Sequence, residues 1–169
     1  MNSSVSPDLA ALRLDLRALD SFPITDHMGR AVNQAGLTLV GMSNPPLANA
    51  LHDPGDAKPL TASGLMRGDV PLIGRVEAGS TAWVRFTGLS ENVTAALTAY
   101  HDVVKTGEPL EIEIDRKRWQ VIGAAWDGGR LPGLFSYQAL IDRNTTAALD
   151  DHLTLRFLSG TTFHSMGLY

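Results

Sequence analysis

A histidine and a lysine stand six residues apart in Leu51-His52-Asp53-Pro54-Gly55-Asp56-Ala57-Lys58. Between them lies Asp-Pro-Gly-Asp, a run of turn formers that folds the two back toward each other. An imidazole, with an ordinary pKa near ~6.5, exchanges protons near neutral pH. An ammonium group stabilises negative charge that develops during a reaction. The residues before His52 have helical character and those after Lys58 have strand character. The histidine is therefore expected at a helix end, on a solvent-facing loop of the kind that collects binding and catalytic groups. Plainer roles compete: a loop histidine is commonly solvated or a helix cap, and a lysine at a strand start is commonly just exposed.

The elements that must position this pair follow from periodicity. Ala11 to Leu19 alternates, with Leu12, Leu14, Leu16 and Ala18 on one face and Arg13, Asp15 and Arg17 on the other, as in a half-buried strand. Thr25 or Asp26 can cap a helix whose apolar stripe is Met28, Val32, Ala35, Leu39 and Met42. Pro45-Pro46 ends or bends it, and Leu47 to Leu51 adds another short turn or two leading into His52. Lys58 to Arg67 forms a second strand. Thr81 to Leu89 forms a third, with Ala82, Val84 and Phe86 alternating with Trp83, Arg85 and Thr87. Ser90 is the expected N-cap of a second helix, with Val93, Ala96, Leu97, Tyr100, Val103 and Val104 inward and Gly107 as its stop. A fourth strand places Leu110, Ile112 and Ile114 inward and Glu111 and Glu113 outward.

That order is β-α-β-β-α-β, an α+β, ferredoxin-like plan shared with RNA-recognition (RRM-like) domains. A C-terminal strand and helix extension completes the chain: a strand at Trp119 to Ala125, a glycine-rich loop at Gly128-Gly129, a short helix after Ser136, and an alternating strand from Leu153 to Phe157.

Composition narrows the class. The chain has 169 residues, 44% of them hydrophobic, ample for one packed domain. No run of about twenty apolar residues exists, so no membrane span is expected. The first residues lack the basic start and apolar core of a signal peptide. No cysteine is present, which excludes disulfides and thiolate metal sites and fits a cytoplasmic location. The net charge of −4 runs against a uniformly basic nucleic-acid binder. Eleven arginines against three lysines nevertheless leave room for a local Arg-lined surface, since arginine forks onto phosphate and stacks on bases.

Three segments together resemble the CRISPR-associated endoribonucleases that cut precursor CRISPR RNA within its repeats, members of the RAMP superfamily. The first is Leu51-His52-Asp53 with Lys58-Pro59-Leu60-Thr61-Ala62-Ser63-Gly64-Leu65, similar to that family's His-(Asp/Glu) element running into a Lys-Pro-Phe-Thr-x-Ser-x-Leu strand. The second is Trp83-Val84-Arg85-Phe86-Thr87-Gly88-Leu89, similar to its third strand. The third joins Ser136-Tyr137-Gln138-Ala139-Leu140 to Leu155-Arg156-Phe157-Leu158-Ser159-Gly160-Thr161-Thr162-Phe163, where family members carry Ser/Thr-Tyr-x-x-Leu and then Phe-x-Ser-Pro-Thr-x-Phe. Gly160 stands where the family has proline.

The resemblance implies an N-terminal ferredoxin-like domain over residues 1–150. Residues 151–169 are then a strand and hinge leading toward a second ferredoxin-like domain, absent from this chain, that ends in a glycine-rich RNA-binding loop. It further implies cleavage of CRISPR repeat RNA without a metal or other cofactor. The ribose 2′-OH attacks the adjacent phosphate and leaves a 2′,3′-cyclic phosphate and a 5′-OH. His52 is then the general acid/base and Lys58 the electrostatic helper. Some relatives complete a triad with a tyrosine on the first helix, whereas the first tyrosine here is Tyr100. Implied partners are precursor crRNA and subunits of a CRISPR effector complex, with a homodimer as an option.

Other candidates carry weaker patterns. Arg116-Lys117-Arg118 before Trp119 suits phosphate contact and base stacking, or else a solvated hairpin tip with a half-buried tryptophan. Arg67, Arg75 and Arg85 suit an RNA-facing surface or ordinary exposure. His27, His101, His152 and His164 have no mutual spacing for a metal site, and His101 beside Tyr100 suggests a structural role. Two rival functions remain: a non-catalytic crRNA-binding subunit of an effector complex, and a ferredoxin-like protein-interaction or ligand-binding domain.

Overall fold

In the computed structural model, which describes residues 7–24, 28–53, 58–127 and 133–145, the first alternating stretch becomes β1 (Leu9–Ala18). Leu12, Leu14 and Leu16 are fully buried, each contributing about 1.5–3 kcal/mol relative to exposure. The pleat sends Arg13, Asp15 and Arg17 to the other face. β2 (Phe22–Pro23) leads to α1 (Met28–Ser43) and α2 (Pro45–His52). Then come β3 (Leu60–Ala62), β4 (Met66–Arg67), β5 (Val70–Pro71), β6 (Arg75–Val76) and β7 (Thr81–Gly88). α3 (Glu91–Lys105), β8 (Leu110–Ile114), β9 (Lys117–Trp126), β10 (Leu134–Phe135) and α4 (Tyr137–Thr145) complete the described elements.

Among the described residues, eight strands form one sheet, in the order β5-β4-β7-β1-β9-β8, with β3 also on β7 and β10 also on β1. The pairings in this sheet are antiparallel. β1 lies at the centre, so its apolar face has neighbours on both sides. α1 and α3 pack on each other and on this face, which buries Val32, Leu39, Val40, Val93 and Leu97 against Leu14, Val84 and Phe86 in one core. The opposite face carries no helix from this pair. A small separate sheet pairs β2 with β6. There Ser21 donates to Glu77 and Arg75 forms an ion pair with it at 2.8 Å, and these two contacts, Ser21 first, hold the Glu77 carboxyl below its ordinary pKa.

Two close approaches fix the helices. Gly36 of α1 lies against Phe86: a Cβ there would come within 2.9 Å of the ring. Gly88 ends β7 where a Cβ would meet Val93 and Thr94 at 3.1–3.2 Å, so the turn into α3 is tight. Ser90 occupies the N-cap position, but its side chain makes no capping bond. Gly107 stops α3 with φ of +81°, a left-handed conformation that suits glycine.

Several expectations are corrected. The second strand is not continuous from Lys58 to Arg67: it splits into β3 and β4. Between them, Ser63 pairs with Arg85 through its own N–H and through its hydroxyl, both at 2.9 Å. A side chain that replaces a ladder bond breaks the regular pairing. β9 lies beside β1, and β8 pairs outside it. β8 and β9 are joined by a two-residue turn, Asp115-Arg116, with φ of 52° and 59°, whose twist suits a tight hairpin. Met42 and Val103, placed inward by periodicity, are 61% and 40% exposed. They sit near the ends of their helices, beyond the packed core.

The short turn before His52 is present as α2, which opens on Pro45 and Pro46 and is capped by the Asn44 side chain accepting from Leu47 N–H at 3.1 Å. The helix after Ser136 is α4. The expected cap at Thr25 or Asp26, the Gly128-Gly129 loop, the strand Leu153 to Phe157 and the boundary at residue 150 lie outside the described residues. No helix among the described residues is long and apolar enough to cross a membrane.

Candidate active site and RNA-facing surfaces

Placement of His52 begins with Gly36. The missing side chain seats α1 on β7, and α2 then packs along α1. Asn44 and the two prolines set the start of α2, and Leu51, 7% exposed, anchors its end in the core. His52 is the last residue of α2 and is exposed. Asp53 leaves the helix in extended conformation, its N–H still donating to Asn49 O at 3.3 Å.

The Lys58 ammonium donates to the Asp53 carbonyl oxygen, the residue directly after His52. Lys58 thus bonds the residue that follows His52 at the end of α2. The contact also neutralises the negative end of α2, a capping role that stands whatever else the lysine does. His52 lines a groove between α1 and α2 together with Gln34, Thr38, Met42 and Asn49. Sequence reading missed these groove residues. Gln34 and Thr38 fall between the inward positions of α1, and only the packing of α2 places them beside the histidine.

The predicted arginines divide over several places. Arg85 lies on the open side of the sheet; there Met66 pairs with Trp83, so the pleat turns Arg67 the other way at the sheet edge. Arg67 lines a shallow depression with Arg13, Asp15 and Trp83, and Arg85 lines the next one with Thr87 and Leu89. Arg116, Lys117 and Arg118 form the β8–β9 hairpin. Arg116 borders a cleft against the outer side of α1, with Arg30 and Glu113, and Arg118 is held by Asp20 at 3.1 Å. Trp119 is fully buried, edge-on to Phe22 with ring centroids 5.3 Å apart. A base cannot stack on it, so that expectation is corrected: the period-two pattern turns this ring into the core. Arg75 pairs with Glu77 on β6. His101 stacks on Trp126 at 4.8 Å and bonds Asp102 at 3.1 Å, a structural position on α3. His27, His152 and His164 lie outside the described residues.

No protein-family model and no curated protein matches the sequence. Solved structures do. A Cas6 product complex superposes with a TM-score of 0.54, at 20% identity, covering 79% of this chain and 46% of that one. A CRISPR-associated protein Cas6 gives 0.47 at 16% identity, over 70% and 48% of the two chains. Thermus thermophilus Cas6 gives 0.46 at 18% identity, over 82% and 45%. The chain spans about half the length of the solved structures it matches. Strand order, helix placement and the first of these superpositions agree: the chain has the ferredoxin-like fold that this Cas6 structure also has.

Proposed function

We propose that this chain is the N-terminal ferredoxin-like half of a CRISPR repeat-processing endoribonuclease. It binds repeat RNA and acts on the phosphate that follows an attacking 2′-OH, without needing a metal. The observation that carries the reading is the exposed His52 at the end of α2, with the Lys58 ammonium bonded to the carbonyl of the next residue, Asp53, on a fold shared with a Cas6 product complex. In this reading His52 removes the 2′-proton or protonates the leaving 5′-oxygen, tasks that require an accessible imidazole. Lys58 exchanges its bond to the Asp53 carbonyl for a non-bridging oxygen as charge develops on the phosphorane. The breaking bond is P–O5′ and the forming bond is O2′–P, so a 2′,3′-cyclic phosphate and a 5′-OH balance the reaction. The position that some relatives fill with tyrosine on the first helix has no tyrosine here; Gln34 and Thr38 are the polar groups of α1 that share the groove with His52.

The test is cleavage of repeat RNA in EDTA, by the chain alone and with a second ferredoxin-like half supplied. His52→Ala is expected to lower the cleavage rate by about 10²–10⁴-fold while RNA binding persists, and Lys58→Ala by about 10²–10³-fold. Undiminished cutting by His52→Ala removes the histidine from the mechanism. Tight repeat binding without cutting under any condition turns the reading to the non-catalytic crRNA-binding subunit.

A further inference from the structure

One border of the sheet ends in an open strand. Among the described residues β8 pairs only with β9, and the two-residue Asp115-Arg116 turn fixes which backbone groups that pairing consumes. In a hairpin of this type the residues flanking the turn exchange both N–H···O bonds. Ile114 with Lys117 is that pair, and the alternation repeats it at Ile112 with Trp119 and at Leu110 with Val121. The N–H and C=O of Glu111 and Glu113 therefore point away from β9, to the outer edge, where no strand among the described residues takes them. Such a row of groups is a template for one more strand.

This edge borders a cleft of about 750 Å³ between β8 and the flank of α1. Its apolar lining is Ala31, Ala35, Leu39 and Ile112, and the two alanines leave room beside the strand. Ile112 and Ile114 turn toward the helices and are buried, so the pleat puts Glu111 and Glu113 on the opposite face. Both glutamates are exposed, and neither forms an ion pair among the described residues. Across the ladder Gln120 faces Glu111, while Arg118 faces Glu113 but is held by Asp20 at 3.1 Å. Gln34, Thr38 and Met42 line both this cleft and the His52 groove, so they form the crest of α1 between the two.

We infer that β8 and this cleft receive an extended segment of a partner protein by strand addition, one in which basic residues alternate with small apolar ones. The partner's backbone bonds to the outward groups of Glu111 and Glu113. Its side chains opposite those two residues share their face, where Lys or Arg forms cross-strand pairs with the carboxylates. Its intervening side chains enter the cleft beside Ile112, and their size is set by Ala31 and Ala35. Arg30 and Arg116 also border the cleft, which confines the partner's basic residues to the carboxylate face. A second copy of this chain is a poor occupant. Pairing two β8 strands about Ile112 sets Glu111 opposite Glu113 on both sides, and like charges directly opposite destabilise a strand pair. The carboxylates thus guard the edge against self-association and select a basic strand. The inference does not rest on the RNA-processing reading, because the edge and the cleft lie on the flank of α1 away from His52.

The experiment measures anisotropy of a labelled Ala-Lys-Val-Lys-Val-Lys-Ala peptide with the full chain at low salt, beside a Lys-Lys-Lys-Ala-Val-Val-Ala peptide of the same composition. The alternating peptide is expected to bind more tightly. Glu111→Gln combined with Glu113→Gln is expected to weaken it by about 2- to 30-fold, the loss of two cross-strand charge pairs. Glu113→Pro removes an N–H that β9 does not use, a position where an edge strand tolerates proline. It is expected to bind the peptide about 2- to 13-fold more weakly than Glu113→Gln, the loss of one backbone bond, which charge alone does not produce. Circular dichroism of each variant separates lost binding from lost folding, and if Glu113→Pro does not fold, Glu111→Pro against Glu111→Gln makes the same comparison. Equal binding of the two peptides overturns the proposal, since it leaves only attraction to an acidic chain. Binding by the double glutamine variant equal to that of the parent overturns it too. So does self-association of the parent that Glu113→Pro abolishes, which gives the edge to a second copy.

Discussion

Tyr100 is 3% exposed, and its hydroxyl has no hydrogen-bond partner among the described residues. Burial raises its pKa to about 12 from an ordinary 10. A folded-state pKa above the unfolded one means that the folded chain holds this proton more tightly. The corresponding stability is fully present below pH 10 and is lost as pH rises toward 12. Two pKa units correspond to about 3 kcal/mol at most. Tyr100→Phe removes both the buried unpaired hydroxyl and its titration. It is expected to leave stability at neutral pH unchanged or higher by about 1 kcal/mol, and to flatten the decline above pH 10. Urea unfolding at neutral pH and near pH 11 measures both; a variant as alkali-sensitive as the parent places the titration elsewhere. The sequence put Tyr100 on the buried stripe of its helix, but the absence of a partner for its hydroxyl depends on side chains arriving from other elements.

α1 determines where the catalytic candidate sits, and Gly36 determines where α1 sits. Alanine at position 36 gains up to about 1 kcal/mol in helix propensity. It also forces a Cβ to within 2.9 Å of Phe86, which is fully buried and hemmed in by the core. Overpacking of this kind costs about 1–3 kcal/mol, so Gly36→Ala is expected to lower stability by about 1–2 kcal/mol net. A reduced urea midpoint at unchanged slope shows it, and an unchanged midpoint means that α1 shifts freely. Periodicity exposed β1, α1 and α3 because each buries one face along most of its length. It overran at Met42 and Val103, where the stripe continues past the packed core. It could not show that Ser63 would substitute its hydroxyl for a ladder bond and split the second strand. Nor could it decide which strand of the β8–β9 hairpin lies against β1, since both alternate and the choice is tertiary. The place of His52 at a helix end was legible from the helical stretch before it and the turn residues after it; the Gln34 and Thr38 side of its groove was not, because it comes from another helix.

Across the whole molecule, a net charge of −4 coexists with Arg13, Arg17 and Arg85 on the open face of β1 and β7, where Asp15 pairs with Arg13. Screening at physiological salt limits each charge's reach to roughly 8 Å, so an RNA strand on that face feels its arginines more than the distant acids. Binding should then depend on salt through few phosphates. Arg17 and Arg85, with a partial share from Arg13, amount to about two or three contacts. With about 0.7 counterions released per single-strand phosphate, the slope of log affinity against log salt is expected between about −1 and −2. Arg85→Gln should make it shallower by about 0.7. A titration of oligoadenylate binding over a range of salt concentrations measures both numbers. A slope near zero would mean that these guanidiniums take no phosphate. A much steeper slope would draw in the β8–β9 hairpin, whose Arg116 and Lys117 carry no ion pair among the described residues, and would place the RNA around the edge of the sheet instead of across its face.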